Sequence, residues 1–125
     1  MAMTSTKTEL ERRTRNFALA VMEFVEGFHR GSVPDTLGRQ LVRSATSIGA
    51  NYREAQRGES KADFIHKVAL CEKEASESCY WLDLCATGKV GQESKAASLM
   101  AEAEALLAIF VTIGKRAKQS KNRHE

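Results

Sequence analysis

The sequence predicts an all-α protein, folded as an antiparallel up-down-up-down four-helix bundle. Three observations lead there. The chain of 125 residues holds one proline and eight glycines, too few turn formers for a sandwich or a barrel. Apolar residues recur at threes, fours and sevens through four segments, the spacing of one face of a helix. The links between segments are short, and short links make successive helices pack side by side in opposite directions. With 42% apolar and 28% charged residues, the chain is expected to close one domain, residues 1–125, and wholesale disorder is excluded.

The first helix is expected at about residues 8–29, where Leu10, Phe17, Val21, Phe24 and Phe28 form the stripe, widened by Ala20 and Val25. It closes at Gly27-Phe28-His29-Arg30-Gly31. Pro34-Asp35 opens the second, about 35–57, in which Leu37, Leu41, Ala45, Ile48 and Tyr52 keep the spacing up to Arg57-Gly58. Ser60-Lys61-Ala62-Asp63 resembles a capping box and starts the third, about 61–87, which runs through Phe64, Val68, Cys71, Ala75 and Leu82 to Gly88. Gly91-Gln92-Glu93-Ser94 leads into the fourth, about 93–117, lined by Leu99, Ala103, Leu106, Phe110 and Ile113; a basic tail, 115–125, is expected to fray.

Two stretches carry more apolar surface than one core needs. Tyr80-Trp81-Leu82-Asp83-Leu84-Cys85 covers about half of its helix circumference, and Leu106 to Ile113 covers more, whereas a bundle helix needs a stripe of about 100°. The surplus points to a second interface, and hence to homo-oligomerisation, with Tyr80, Trp81 and Phe110 as packing or assembly residues. The second helix has the opposite character. Ser44-Ala45-Thr46-Ser47-Ile48-Gly49-Ala50-Asn51 is a run of small residues that permits close approach from several sides, although Gly49 costs about 1 kcal/mol relative to alanine.

The formal net charge of +3, from 19 Lys+Arg against 16 Asp+Glu, is unevenly placed. Residues 1–58 carry nine basic and six acidic side chains, residues 59–114 five and nine, and residues 115–125 five and one. The basic balance is therefore mostly a tail effect. The body is a charge dipole between its two halves, which favours head-to-side packing between copies. No apolar run approaches the ~18 residues of a bilayer span, so no membrane contact is expected. The polar stretch Met1 to Glu11 lacks the apolar centre of a signal peptide, and a cytoplasmic location is expected. Cys71, Cys79 and Cys85, spaced by 8 and 6, match no zinc pattern and read as core thiols in a reducing compartment.

One metal arrangement is tempting. Di-iron bundles use two Glu-x-x-His motifs plus two carboxylates; here Glu26-Gly-Phe-His29 and Asp63-Phe-Ile-His66 accompany Glu54, Glu102 and Glu104. The geometry fails, because His29 ends one helix and His66 begins another, opposite ends of an up-down bundle about 30 Å apart. The carboxylates Glu72, Glu74, Glu77 and Asp83 of the third helix read as a solvated or intersubunit face. With no phosphate loop and no nucleophile elbow, no catalytic residue, metal site or cofactor is expected, and the protein is read as a non-enzyme.

Arg39, Arg43, Arg53 and Arg57 fall within about 80° of one another on the second helix. They form a candidate nucleic-acid contact stripe for RNA or DNA, extended by Arg12, Arg13 and Arg15 and by the basic tail. No aromatic residue interleaves with them, so base stacking is not indicated. The competing role is pairing with acidic side chains of the third helix or of a neighbouring copy.

The stretch from Leu41 through Ser44-Ala45-Thr46-Ser47-Ile48-Gly49-Ala50-Asn51-Tyr52-Arg53-Glu54-Ala55 resembles the second-helix signature of bacterial four-helix-bundle proteins related to those encoded in 23S rRNA intervening sequences. Ser60-Lys61-Ala62-Asp63-Phe64 and Glu74-Ala75-Ser76-Glu77-Ser78-Cys79-Tyr80-Trp81-Leu82 extend the resemblance, which spans roughly residues 10–113. It implies an up-down bundle assembled as a homopentamer, with no established enzymatic activity. A related branch, the accessory variability determinant of diversity-generating retroelements, is a basic pentamer that works with a reverse transcriptase and RNA. Asn51, Glu54, Glu74 and Trp81 are family-typical positions, read as packing and assembly residues. The resulting expectation is a homopentameric binding or scaffold module with itself as partner, and an unidentified protein or a nucleic acid as further ones.

Overall fold

The structure, a computed structural model, describes residues 5–123. They form four helices, α1 Thr6–Glu26, α2 Ser32–Gln56, α3 Lys61–Thr87 and α4 Glu93–Arg123, with no strand among the described residues. The caps explain the bounds. The Thr8 backbone N–H donates to Ser5 Oγ at 3.1 Å, so α1 begins ahead of residue 8; it ends at Gly27, leaving Phe28 and His29 in the link. The Asp63 N–H donates to Ser60 Oγ at 3.0 Å, the N-cap bond expected of that motif. Pro34 sits in the first turn of α2, where its missing N–H has no helical partner to lose, and the helix starts two residues before it.

Each helix packs on its sequence neighbours and α4 returns to α1, while the diagonal α2 and α4 meet through core side chains, Tyr52 against Phe110. The α2–α3 and α3–α4 seams are the most extensive and α1–α4 the loosest. Across α2–α3, Ser44 meets Ser78, Ile48 meets Cys71 and Glu54 meets Lys67, so partner numbers fall on one helix as they rise on the other. Across α1–α4, Arg13 meets Glu102 and Glu23 meets Lys95 in the same sense.

The core is one cluster drawn from all four stripes: Phe17, Val21 and Phe24 from α1, Leu41 and Ile48 from α2, Val68, Cys71 and Leu82 from α3, Leu106 and Phe110 from α4. Phe110 meets Tyr52 edge-on, ring centroids 5.6 Å apart, in the arrangement aromatic quadrupoles favour. The α2 and α3 faces share one burial pattern: positions 41–52 and 71–82 alternate buried, half-buried and exposed in the same order. Small residues let these helices come close. The Ser44 and Ser78 hydroxyls lie 2.9 Å apart, fully buried, and each also donates to or approaches a carbonyl of its own helix.

Two expectations need correction. The tail expected to fray from residue 115 continues as helix to Arg123, where Ala117 is buried and Lys61 Nζ donates to Ser120 Oγ at 3.3 Å; residues 1–4 and 124–125 lie outside the described residues. The expectation that no segment is apolar enough to span a bilayer fails for α4, which passes by length and composition alone over Glu93–Ser120. Unbroken runs are a stricter criterion than a window, because Glu102 and Glu104 interrupt the run without removing its overall apolarity. A core helix meets the same condition, and Ala96, Leu99, Ala103, Leu106 and Phe110 of α4 are buried against the bundle.

Gly91, in the α3–α4 link, has φ +84°, and a Cβ there would stand 2.6 Å from Cε1 of both Phe24 and Phe28. Gly91→Ala therefore combines left-handed strain with a clash and is expected to lower stability by about 1–3 kcal/mol. Gly114→Ala, where the nearest atom is Val68 Cγ1 at 3.8 Å, is expected to raise it by about 0.5–1 kcal/mol. Urea unfolding of both variants at one protein concentration checks the contrast.

Candidate interaction surfaces

The four arginines of the expected stripe, Arg39, Arg43 and Arg53 on α2 and Arg57 at its C-cap, separate into two groups. Arg43 turns across the α2–α3 seam, donating from Nη1 to Glu74 Oε2 at 3.0 Å and from Nη2 to Glu77 Oε1 at 2.5 Å. Glu74 belongs to the buried set, its side chain 11% exposed, so Arg43 supplies the charge that makes its burial tolerable. Although partial burial opposes it, the bonds and charges of Glu77 and Glu74 raise the Arg43 pKa above its ordinary value. Arg39, Arg53 and Arg57 are exposed and make no ion pair among the described residues. Arg15 is likewise exposed and unpaired, whereas Arg12 pairs with Glu9 and Arg13 forks onto Glu102 at 2.8 and 2.7 Å. The stripe thus keeps three guanidiniums unpaired among the described residues, Arg39 and Arg53 on α2 and Arg57 at its C-cap, and of these four arginines the competing acidic pairing takes only Arg43.

The expected assembly residues also divide. Phe110 is fully buried and belongs to the core, so it offers no face to a neighbour. Asn51 is half-buried and its Nδ2 donates to the Ser47 carbonyl of its own helix at 2.9 Å. Tyr80 is 56% exposed and lies edge-on to the half-buried Trp81, centroids 5.0 Å apart. The Trp81 Nε1 donor is buried and has no hydrogen-bond acceptor among the described residues. Glu54 is exposed and accepts from Lys67 Nζ at 2.9 Å.

Further apolar surface stands off the core stripes. Leu19 and Met22, each 45% exposed, sit on the outer side of α1; their three-residue spacing off the Phe17–Val21–Phe24 stripe was the available signal. On α4, Ile109 and Ile113 are half-buried and line an open groove of about 450 Å³ against Thr6 and Leu10 of α1. A second groove, about 600 Å³, runs along the α1–α2 seam at the α1 C-terminal end. Val25, Phe28, Pro34 and Val42 give it an apolar floor, and Arg30, Arg39 and Asp35 are among its charged lining residues. Gly38 opens that floor: a Cβ there would come within 2.8 Å of Val25 Cγ1.

The chemistry-bearing residues do not converge. His29 lies in the α1–α2 link and His66 in the early turns of α3, and no three His, Cys, Asp or Glu side chains gather at metal-ligand reach among the described residues. Burial pushes the Cys71 thiol up to about 12 and Cys85 to about 11, and raises Cys79, which Glu104 raises further. Thiols held protonated in this way are poor nucleophiles and poor metal ligands.

Two predictions follow from this surface. Arg43→Ala strands the buried Glu74 carboxylate and is expected to cost about 1–3 kcal/mol, while Arg39→Ala and Arg53→Ala stay within about 0.5 kcal/mol; thermal or urea unfolding checks this. Above the ordinary thiol value of 9.0 the unfolded chain loses protons that folded Cys71 and Cys85 retain. Stability is therefore expected to fall as pH rises from about 9 towards 11–12. Urea midpoints at pH 8 and pH 10 read it, and a midpoint unchanged in wild type but shifted in a Cys71→Ala variant would contradict it.

Comparison with known proteins fits this architecture. No curated protein matches the chain. A crystal structure of a protein of unknown function from the S23 ribosomal protein family of Bacteroides thetaiotaomicron is similar to it, with TM-score 0.74 and 29% identity over 85% of this chain and 98% of that one. The family model for the 23S rRNA-intervening sequence protein matches residues 6–112, from the start of α1 to within the last turns of the α4 apolar face. The chain belongs to the 23S rRNA-intervening sequence protein family.

Proposed function

We propose that the protein is a non-enzymatic binding or scaffold module of the cytoplasm, an antiparallel up-down-up-down bundle that assembles with itself. Five copies is the number its resemblance implies. The observation that carries this reading is the apolar surface left outside a complete core: Leu19, Met22 and Tyr80 exposed, with Trp81, Ile109 and Ile113 half-covered. Such surface on a small domain is a marker of contact with another chain. The opposed residue order across the α2–α3 and α1–α4 seams supports the antiparallel arrangement. An unidentified protein is the further partner such a scaffold serves, through surface the assembly leaves free.

A second reading is favoured by one specific observation. Arg39, Arg53 and Arg57 form an exposed row without carboxylate partners among the described residues, which suits a phosphate backbone of RNA or DNA. Binding through this row has a characteristic signature, an affinity that falls steeply with salt.

Light scattering on the purified protein is expected to report an assembly of about five copies; a monomer at micromolar concentration would overturn the scaffold reading. A salt series against mixed RNA and DNA distinguishes the second. Salt-sensitive binding that survives removal of residues 115–125 and is lost in Arg39→Ala/Arg53→Ala/Arg57→Ala would promote it, and a flat response would remove it.

A further inference from the structure

The self-assembly proposed above needs two faces that fit each other, and the chain carries a pair that does. One is concave: the groove of the α1–α2 seam, with an apolar floor that includes Phe28 and Val42, and with Arg30 and Arg39, neither ion-paired among the described residues, outnumbering the one carboxylate of its lining, Asp35. The other is convex. On α3, Tyr80 projects with 56% of its surface exposed, braced edge-on by Trp81, and Asp83 stands exposed one turn on. The stretch 72–87 around it holds four carboxylates against the single Lys73; Arg43 takes Glu74 and Glu77, and Glu72 and Asp83 have no ion pair among the described residues.

We propose that the Tyr80–Asp83 ridge of one copy seats in the α1–α2 groove of the next, the tyrosine ring on the apolar floor and Asp83 towards Arg30 and Arg39. Charge complementarity selects this occupant, since a groove with a net cationic lining and an apolar floor takes an aromatic flanked by carboxylates. Position selects it as well. Ser44 of α2 meets Ser78 of α3, so the groove-lining residues Pro34 to Arg43 stand at the same height on the bundle as the ridge. The two features nevertheless lie on different sides, because α1, one wall of the groove, stands diagonally across the bundle from α3. Two unlike faces make a head-to-tail contact, and equal height lets it repeat by rotation without climbing, which closes a ring instead of growing a filament.

The inference rests on the self-assembly reading, and the experiment separates the two. A groove variant, Arg30→Glu with Arg39→Glu, and a ridge variant, Tyr80→Ser with Asp83→Lys, change exposed side chains only; helicity by circular dichroism confirms that each folds. Light scattering is expected to show each alone at one copy, 13.8 kDa. An equimolar mixture is expected to reach about two copies and no more, since one intact groove and one intact ridge remain between them. Wild-type protein that is itself monomeric would overturn self-assembly and this contact together. A wild-type oligomer whose mass survives both variants, or variants that stay monomeric when mixed, would overturn the contact alone. Loss of nucleic-acid binding in the groove variant with its assembly intact would also overturn it, reassigning Arg30 and Arg39 to a phosphate backbone.

Discussion

The close approach of α2 and α3 is the constraint on which the rest of the molecule depends. It rests on small side chains, with Ser44 against Ser78 and Ala45 and Ala75 in the core between them, and it is closed on the outside by Arg43 gripping Glu74 and Glu77. Narrow packing here has two consequences. Each buried serine hydroxyl has a backbone carbonyl of its own helix and the other hydroxyl within reach, so both can be satisfied inside the seam. Tyr52, a large side chain of α2, reaches across the core to meet Phe110 of α4. A bulky residue at Ser44 or Ser78 would part the seam and pull the Arg43 clamp out of register with both glutamates.

The same economy explains the surface. Small residues fill the inner side of the α2–α3 seam, so the aromatics that follow on α3 cannot all turn inward. Leu82 takes the core position, Trp81 is half-covered and Tyr80 stands outside. On α1 a similar competition leaves Leu19 and Met22 outside a stripe already filled by Phe17, Val21 and Phe24. Apolar side chains in such places gain little for the single chain and much for an assembly, where each removes area from water at about 25 cal/mol per Å². The loose α1–α4 seam, held by the Arg13–Glu102 fork, adds a second open apolar edge.

The periodic signals were legible because they report burial, and burial is what the helices share. Leu41, Ala45, Ile48 and Tyr52 announce the inner face of α2 from spacing alone, and the Ser60–Asp63 cap announces where α3 begins. The surface resisted reading for a different reason. Which partner an arginine takes depends on rotation about the helix by one residue, and Arg43 differs from Arg39 only by lying nearer the α3 side, a distinction the number of carboxylates on α3 cannot supply. Phe110 carried two signals, a place on the inner stripe of the fourth helix and a place in an apolar run that suggested assembly, and its full burial follows the stripe. The groove was hidden for a related reason: Val25, Phe28 and Val42 come from two helices and a link, and Gly38 contributes by lacking a side chain.

The central claim is that apolar side chains outside the core are covered by another copy of the chain. Hydroxyl-radical footprinting of Tyr80 and Met22 across a dilution series tests it directly. The account predicts protection of Tyr80 at high concentration that is lost on dilution, while Phe110 stays protected throughout. Equal labelling of Tyr80 at every concentration would contradict it.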